Sequence, residues 1–113
     1  FLRQIHHSNM AISKENKEYI ESLIHYYISE ASSYEQIAEG FVPEVESVTD
    51  TAFGIITGNI YSEFMQAYLN QKIDVNVEDI QEFYNIIKES APLIKKAIME
   101  GASTVPEEHE ILE

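Results

Sequence analysis

Thr51 to Leu69, TAFGIITGNIYSEFMQAYL, is the most apolar stretch of the chain, and its reading decides the fold. Placed at about 100° per residue, Val45, Ala52, Phe53, Ile56, Ile60 and Ala67 share one arc of a helix. Gly54, Gly58, Tyr61, Met65 and Leu69 share the opposite arc. A helix with apolar residues on two sides is expected to be packed on two sides. Each glycine inside a helix costs about 1 kcal/mol relative to alanine. Close approach of another helix backbone would offset that cost, so the Gly54/Gly58 face is expected to be covered, by a helix of the same subunit or by a second copy.

The flanking segments read as two more long helices. Upstream, Ser13 is placed to cap a helix whose apolar positions are Ile20, Ile24, Tyr27, Ala31, Tyr34, Ala38 and Phe41, an alternating four-and-three spacing. Leu23, Ile28 and Ile37 widen that stripe, and Gly40, in the left-handed conformation, is expected to end it ahead of Pro43. The middle helix is then expected to start at or just after Pro43, with Glu44 and Glu46 in its first turn. The short connection predicts antiparallel neighbours. Downstream, Gln71 to Val77 forms a connection, Asp74 or Asn76 a cap, and Ile80, Tyr84, Ile87, Ala91, Ile94 and Ile98 a third apolar stripe. Pro92 falls inside that stripe, so a kink or break is expected there, with Gly101 closing the element. The resulting expectation is an all-α antiparallel bundle of three long helices over 13–101. It is flanked by an N-terminal extension over 1–12 and an acidic C-terminal tail over 102–113. Met10 reads as a start, which makes the preceding residues, His6 and His7 included, vector-derived or a processing remnant.

Charge is the strongest bulk property. The 113 residues hold 7 Lys and Arg against 20 Asp and Glu, a formal net charge of −13. Nine acids lie between Lys17 and Lys72, where the only other candidate cation is His25. Such a surface repels phosphate backbones and anionic lipid headgroups, so neither direct nucleic-acid nor membrane binding is expected. There are no cysteines, which removes disulfides and thiolate chemistry and fits a cytoplasmic protein.

Few residues suggest chemistry. Glu21 and His25 stand four apart on a helix and can share a metal or a proton, but they lie on its polar side, and no Glu-x-x-His pair occurs in the chain. No metal site and no cofactor are therefore assigned. Glu63 is more informative, because it falls in the apolar arc of Ala52, Ile56, Ile60 and Ala67, where an unpaired carboxylate is costly. It is expected to be a partly buried, hydrogen-bonded acid that reaches a lysine, solvent at the edge of the stripe, or one of the seven tyrosines (Tyr19, Tyr26, Tyr27, Tyr34, Tyr61, Tyr68 and Tyr84). No clustered glycine loop or nucleophile elbow is present.

The reading is a small acidic non-enzymatic protein that works by self-association, as a homodimer, or by binding a protein partner. Gly54, Gly58, Tyr61, Met65 and Leu69 form the contact face. The alternative is a small bundle enzyme or a metal- or ligand-binding protein that uses Glu63 with tyrosines, or Glu21 with His25. A third reading is an acidic mimic of nucleic acid.

Overall fold

The computed structural model describes the backbone of residues 11–112 and the side chains of residues 11–101. The readings of His6, His7 and Met10, and of the side chains beyond Gly101, lie outside these. The described residues form four helices, α1 (Lys14–Ser29), α2 (Ala31–Glu39), α3 (Val48–Gln71) and α4 (Val77–Leu112). No strand occurs among them.

The first expected helix is two. Ser13 caps α1 by accepting from the Asn16 N–H at 3.1 Å. The helix stops where the Ser29 hydroxyl donates to the Tyr26 carbonyl at 2.6 Å. That carbonyl also receives the Glu30 N–H, at 3.2 Å, and the same N–H reaches Tyr27 O at 3.1 Å. A serine hydroxyl competing for an i−3 carbonyl bends a helix, and Glu30 sits outside helical geometry at φ −106, ψ 14. Gly40 ends α2 in right-handed geometry (φ −65, ψ −14), not left-handed. The left-handed cap is Lys72, after α3, at φ 61.

α3 begins at Val48 rather than at Pro43. Pro43 follows a cis bond from Val42, and residues 40–47 form turns that leave Glu44 and Glu46 outside the helix. The cap is Ser47, whose hydroxyl accepts from the Asp50 N–H at 3.0 Å. α4 begins with a reciprocal arrangement at Asn76: the Asp79 N–H donates to Asn76 O at 3.0 Å, and the Asn76 N–H donates to the Asp79 carboxylate, also at 3.0 Å. Pro92 does not break α4, which runs through it, and Gly101 does not close it. Pro92 is exposed and the apolar line continues past it to Ile94 and Ile98, both fully buried, so packing holds the helix together across the missing N–H.

The helices stand in three columns. α3 is antiparallel to α1, with Asn16 against Gln71 and Tyr27 against Glu63. It is also antiparallel to α4, with Asp50 against Lys95 at 2.9 Å. α1 and α2 run parallel to α4, from Ile12 N–H on Glu82 at 2.9 Å to Ser32 against Gly101. A methyl added at Gly101 would lie 2.8 Å from both Cα and Cβ of Ser32. Gly101 is therefore the glycine that admits a close helix crossing.

The core is built from Ile20, Leu23, Ile24 and Tyr27 of α1, Ala31 and Ala38 of α2, and Ala52, Ile56, Ile60, Phe64 and Tyr68 of α3, closed by Phe83, Ile86, Ile87, Ile94 and Ile98 of α4. Three aromatic expectations are corrected. Tyr84 is exposed and Phe83 takes its place, stacked on Phe64 at 5.0 Å. Phe41 is exposed because the chain has already left α2. Tyr34 is only half-buried, and the full core position beside it is Glu35. Ile12, placed by sequence in the extension, is 1% exposed and belongs to the core.

Candidate functional site

The two faces of α3 separated by the sequence lead to two concave surfaces, one on each side of the helix.

The first is a groove of about 550 Å³ between α3 and α4, lined by Phe53, Gly54, Thr57, Gly58, Tyr61, Phe83, Tyr84, Ile87 and Lys88. Its floor is aromatic: Tyr61 meets the edge of Phe83 at 5.4 Å, and Phe53 lies under the Lys95 ammonium at 5.9 Å. Gly54 and Gly58 are exposed, and a methyl added at either meets nothing within 4 Å. Among the described residues, then, no helix of the same chain covers the glycine face, so of the two covers expected, a helix of the same subunit or a second copy, the first is absent. Of the five contact residues expected from sequence, Gly54, Gly58 and Tyr61 line the groove. Met65 instead turns half-buried against the core, and Leu69 is 68% exposed beyond the groove. Sequence reasoning missed the α4 wall, because it assigned Tyr84 to the core.

The second is a polar cleft of about 430 Å³ between α1 and α3, lined by Asn16, Tyr19, Glu63, Gln66, Ala67, Asn70 and Gln71. Glu63 is half-buried in it. Its Oε2 accepts from Tyr27 at 2.7 Å and its Oε1 from Tyr19 at 3.3 Å. Burial, then the bond to this carboxylate and its charge, push the Tyr27 phenol far above its ordinary value. Burial, then the Glu63 charge, raise Tyr19 as well. Both phenols are therefore fixed donors at neutral pH. Asn16 and Gln71 exchange two amide hydrogen bonds, at 3.2 and 2.8 Å, and tie the start of α1 to the end of α3.

Glu35 is a third acid, and the sequence reading did not single it out. It is 2% exposed, and its Oε1 has no hydrogen-bond partner. Burial, reinforced by the neighbouring Glu39, pushes its carboxyl up to about 7. The alternating spacing points to Tyr34, three residues after Ala31; a second step of four across the break brings Glu35 inward instead. Glu21 and His25 are both exposed, and no group of three His, Cys, Asp or Glu that could hold a metal occurs among the described residues. Nor is any described helix long and apolar enough to cross a membrane. Compared with family models, curated proteins and solved structures, the chain matches none of them.

Proposed function

We propose that the protein is a non-enzymatic assembly module whose α3–α4 groove pairs with the same groove of a second copy. The observation that supports this most directly is the pair of glycines left open on an exposed, aromatic-floored face. Glycine in a helix interior weakens it, and nothing described within the subunit offsets that cost. A two-fold pairing would set one smooth helix face on another, which is how an isologous contact is built. The charge distribution favours a second copy over a basic partner. The chain carries −13 overall, yet the groove is lined by no carboxylate and by one lysine, Lys88. Its upper end is the neutral pair Asp50–Lys95. Two copies meeting here would bury no acid of the lining, and the exposed Tyr84 on the groove's wall would be covered by the contact.

Sedimentation equilibrium from low micromolar to near-millimolar protein, at low and high salt, tests the reading. Self-association is expected to tighten as salt rises, because screening relieves the repulsion between two acidic bodies. A monomer throughout that range, or an association that weakens with salt, overturns it. The second of those outcomes is the signature of a charge-driven contact elsewhere on the surface.

A further inference from the structure

The cleft on the other side of α3 shares no residue with the groove and carries an independent reading. We infer that the α1–α3 cleft is a binding site for a primary alkylammonium group, with Glu63 as its counter-ion and Tyr19 as its aromatic wall. An ionised carboxylate offers about four acceptor positions, and the two phenols occupy one on each oxygen of Glu63. Among the described residues the ion pairs are Lys95–Asp50 and Lys96–Glu100, so no described lysine pairs with this acid. The cleft beside it has room for more than an ammonium head.

The remaining lining selects for charge and length. The amide oxygens of Asn16, Gln71 and Asn70 each already accept one N–H, from Gln71, Asn16 and Gln66, and each keeps a second acceptor position for the other N–H donors of an ammonium or for a second polar group further along an alkyl chain. The Tyr19 ring, 38% exposed at the mouth, offers a face to a cation. Ala67 leaves the middle of the wall apolar, suited to methylenes. A metal ion is a poor match, because Glu63 is the cleft's only carboxylate and no histidine lines it. An anion is excluded by the same carboxylate.

The test is a nuclear magnetic resonance titration of the full chain that follows the side-chain amides of Asn16, Gln66, Asn70 and Gln71. The probes are 1,4-diaminobutane, Nα-acetyl-lysine amide and, as the uncharged isostere, 1,4-butanediol. Both amines are expected to give saturable shifts confined to the cleft, and the diol none. Glu63→Gln is expected to weaken amine binding at least tenfold, while the exposed Glu44→Gln leaves it unchanged. If the diamine binds the tighter, the source is a free polyamine-like molecule; if the lysine amide does, it is a lysine side chain of a polypeptide. Shifts that fail to saturate, that spread evenly over the acidic surface, or that match those of the diol overturn the inference. The diol comparison needs no variant and decides the matter even if Glu63→Gln does not fold.

Discussion

Replacing Gly54 and Gly58 together with alanine should make the subunit more stable and its assembly weaker. Both residues are exposed, neither has positive φ, and a methyl at either position meets no atom within 4 Å. Each substitution therefore gains only the helix-propensity and unfolded-chain terms, about 0.5–1 kcal/mol apiece. The sum is about 1–2 kcal/mol, which for a domain of this size raises the thermal midpoint by about 5–10 °C. Gly101→Ala is the internal control, since its methyl would sit 2.8 Å from the backbone of Ser32. Overpacking of that kind costs about 1–3 kcal/mol, and the propensity gain of about 1 kcal/mol offsets only part of it. Urea unfolding followed by far-UV circular dichroism, at protein low enough to exclude mass-action stabilisation by a dimer, should place the two variants on opposite sides of the wild type. In sedimentation equilibrium the double variant should associate more weakly, because two methyls hold the helix faces apart. A double variant less stable than wild type in dilute solution would refute the open-face geometry. One that is more stable but associates unchanged would refute the use of that face in assembly.

Three further perturbations test other parts of the structure. Tyr27→Phe removes the 2.7 Å bond to Glu63 while keeping the ring in the core, and should cost about 1–2 kcal/mol in urea unfolding; a cost within error of zero would mean that this bond does not tie α1 to α3. Glu35 is held at about 7 against an ordinary 4.5, so the folded state keeps a proton that the unfolded chain has released between those values. Its contribution is therefore fully present below about pH 4.5 and lost as pH rises through about 7. Glu35→Gln should flatten the fall in stability between about pH 5 and pH 8 and gain most at the alkaline end, as read from urea midpoints at each pH. Ser47→Ala should lose about 1 kcal/mol through the missing cap on the Asp50 N–H, whereas a start at Pro43 would make the change nearly neutral.

The all-helical fold was legible, though not its four helices, because apolar spacing reports which residues face inward, and Ile20, Ile24, Tyr27, Ile56, Ile60, Ile94 and Ile98 all do. What escaped the pattern has separate physical causes. At the break the Ser29 hydroxyl takes the Tyr26 carbonyl and Glu30 leaves helical geometry, and beyond it the inward position moves from Tyr34 to Glu35. Tyrosine and phenylalanine count alike in an apolar stripe, so Tyr84 was read for Phe83, although a phenol tolerates water and a phenyl ring does not. The Gly-x-x-x-Gly spacing signalled close approach, but within the subunit that approach occurs at Gly101, a glycine read from sequence only as a stop. Glu63 was visible as a misplaced acid. Which tyrosines would meet it depended on the pairing of α1 with α3, a long-range fact that no local pattern contains.

The geometry of α3 explains why one helix can support two unrelated surfaces. Its buried residues Ala52, Ile56, Ile60, Phe64 and Tyr68 advance by four at every step. Each step turns the line by about 40°, so the core face sweeps about 160° around the helix from one end to the other. Near the N-terminal end the line leaves the glycine side free, and α4 alone borders it, which makes the groove. Towards the C-terminal end the line has rotated away from Glu63, Gln66 and Asn70, and α1 alone borders them, which makes the cleft. Glu63 then stands in the apolar arc by angle yet outside the core by position along the axis. Tyr19 and Tyr27 are the residues α1 brings to it, and their hydroxyls donate one bond to each of its carboxylate oxygens. Because the two surfaces lie on opposite sides of a rigid helix, substitutions at Gly54 and Gly58 should leave amine binding at Glu63 unchanged, and Glu63→Gln should leave self-association unchanged.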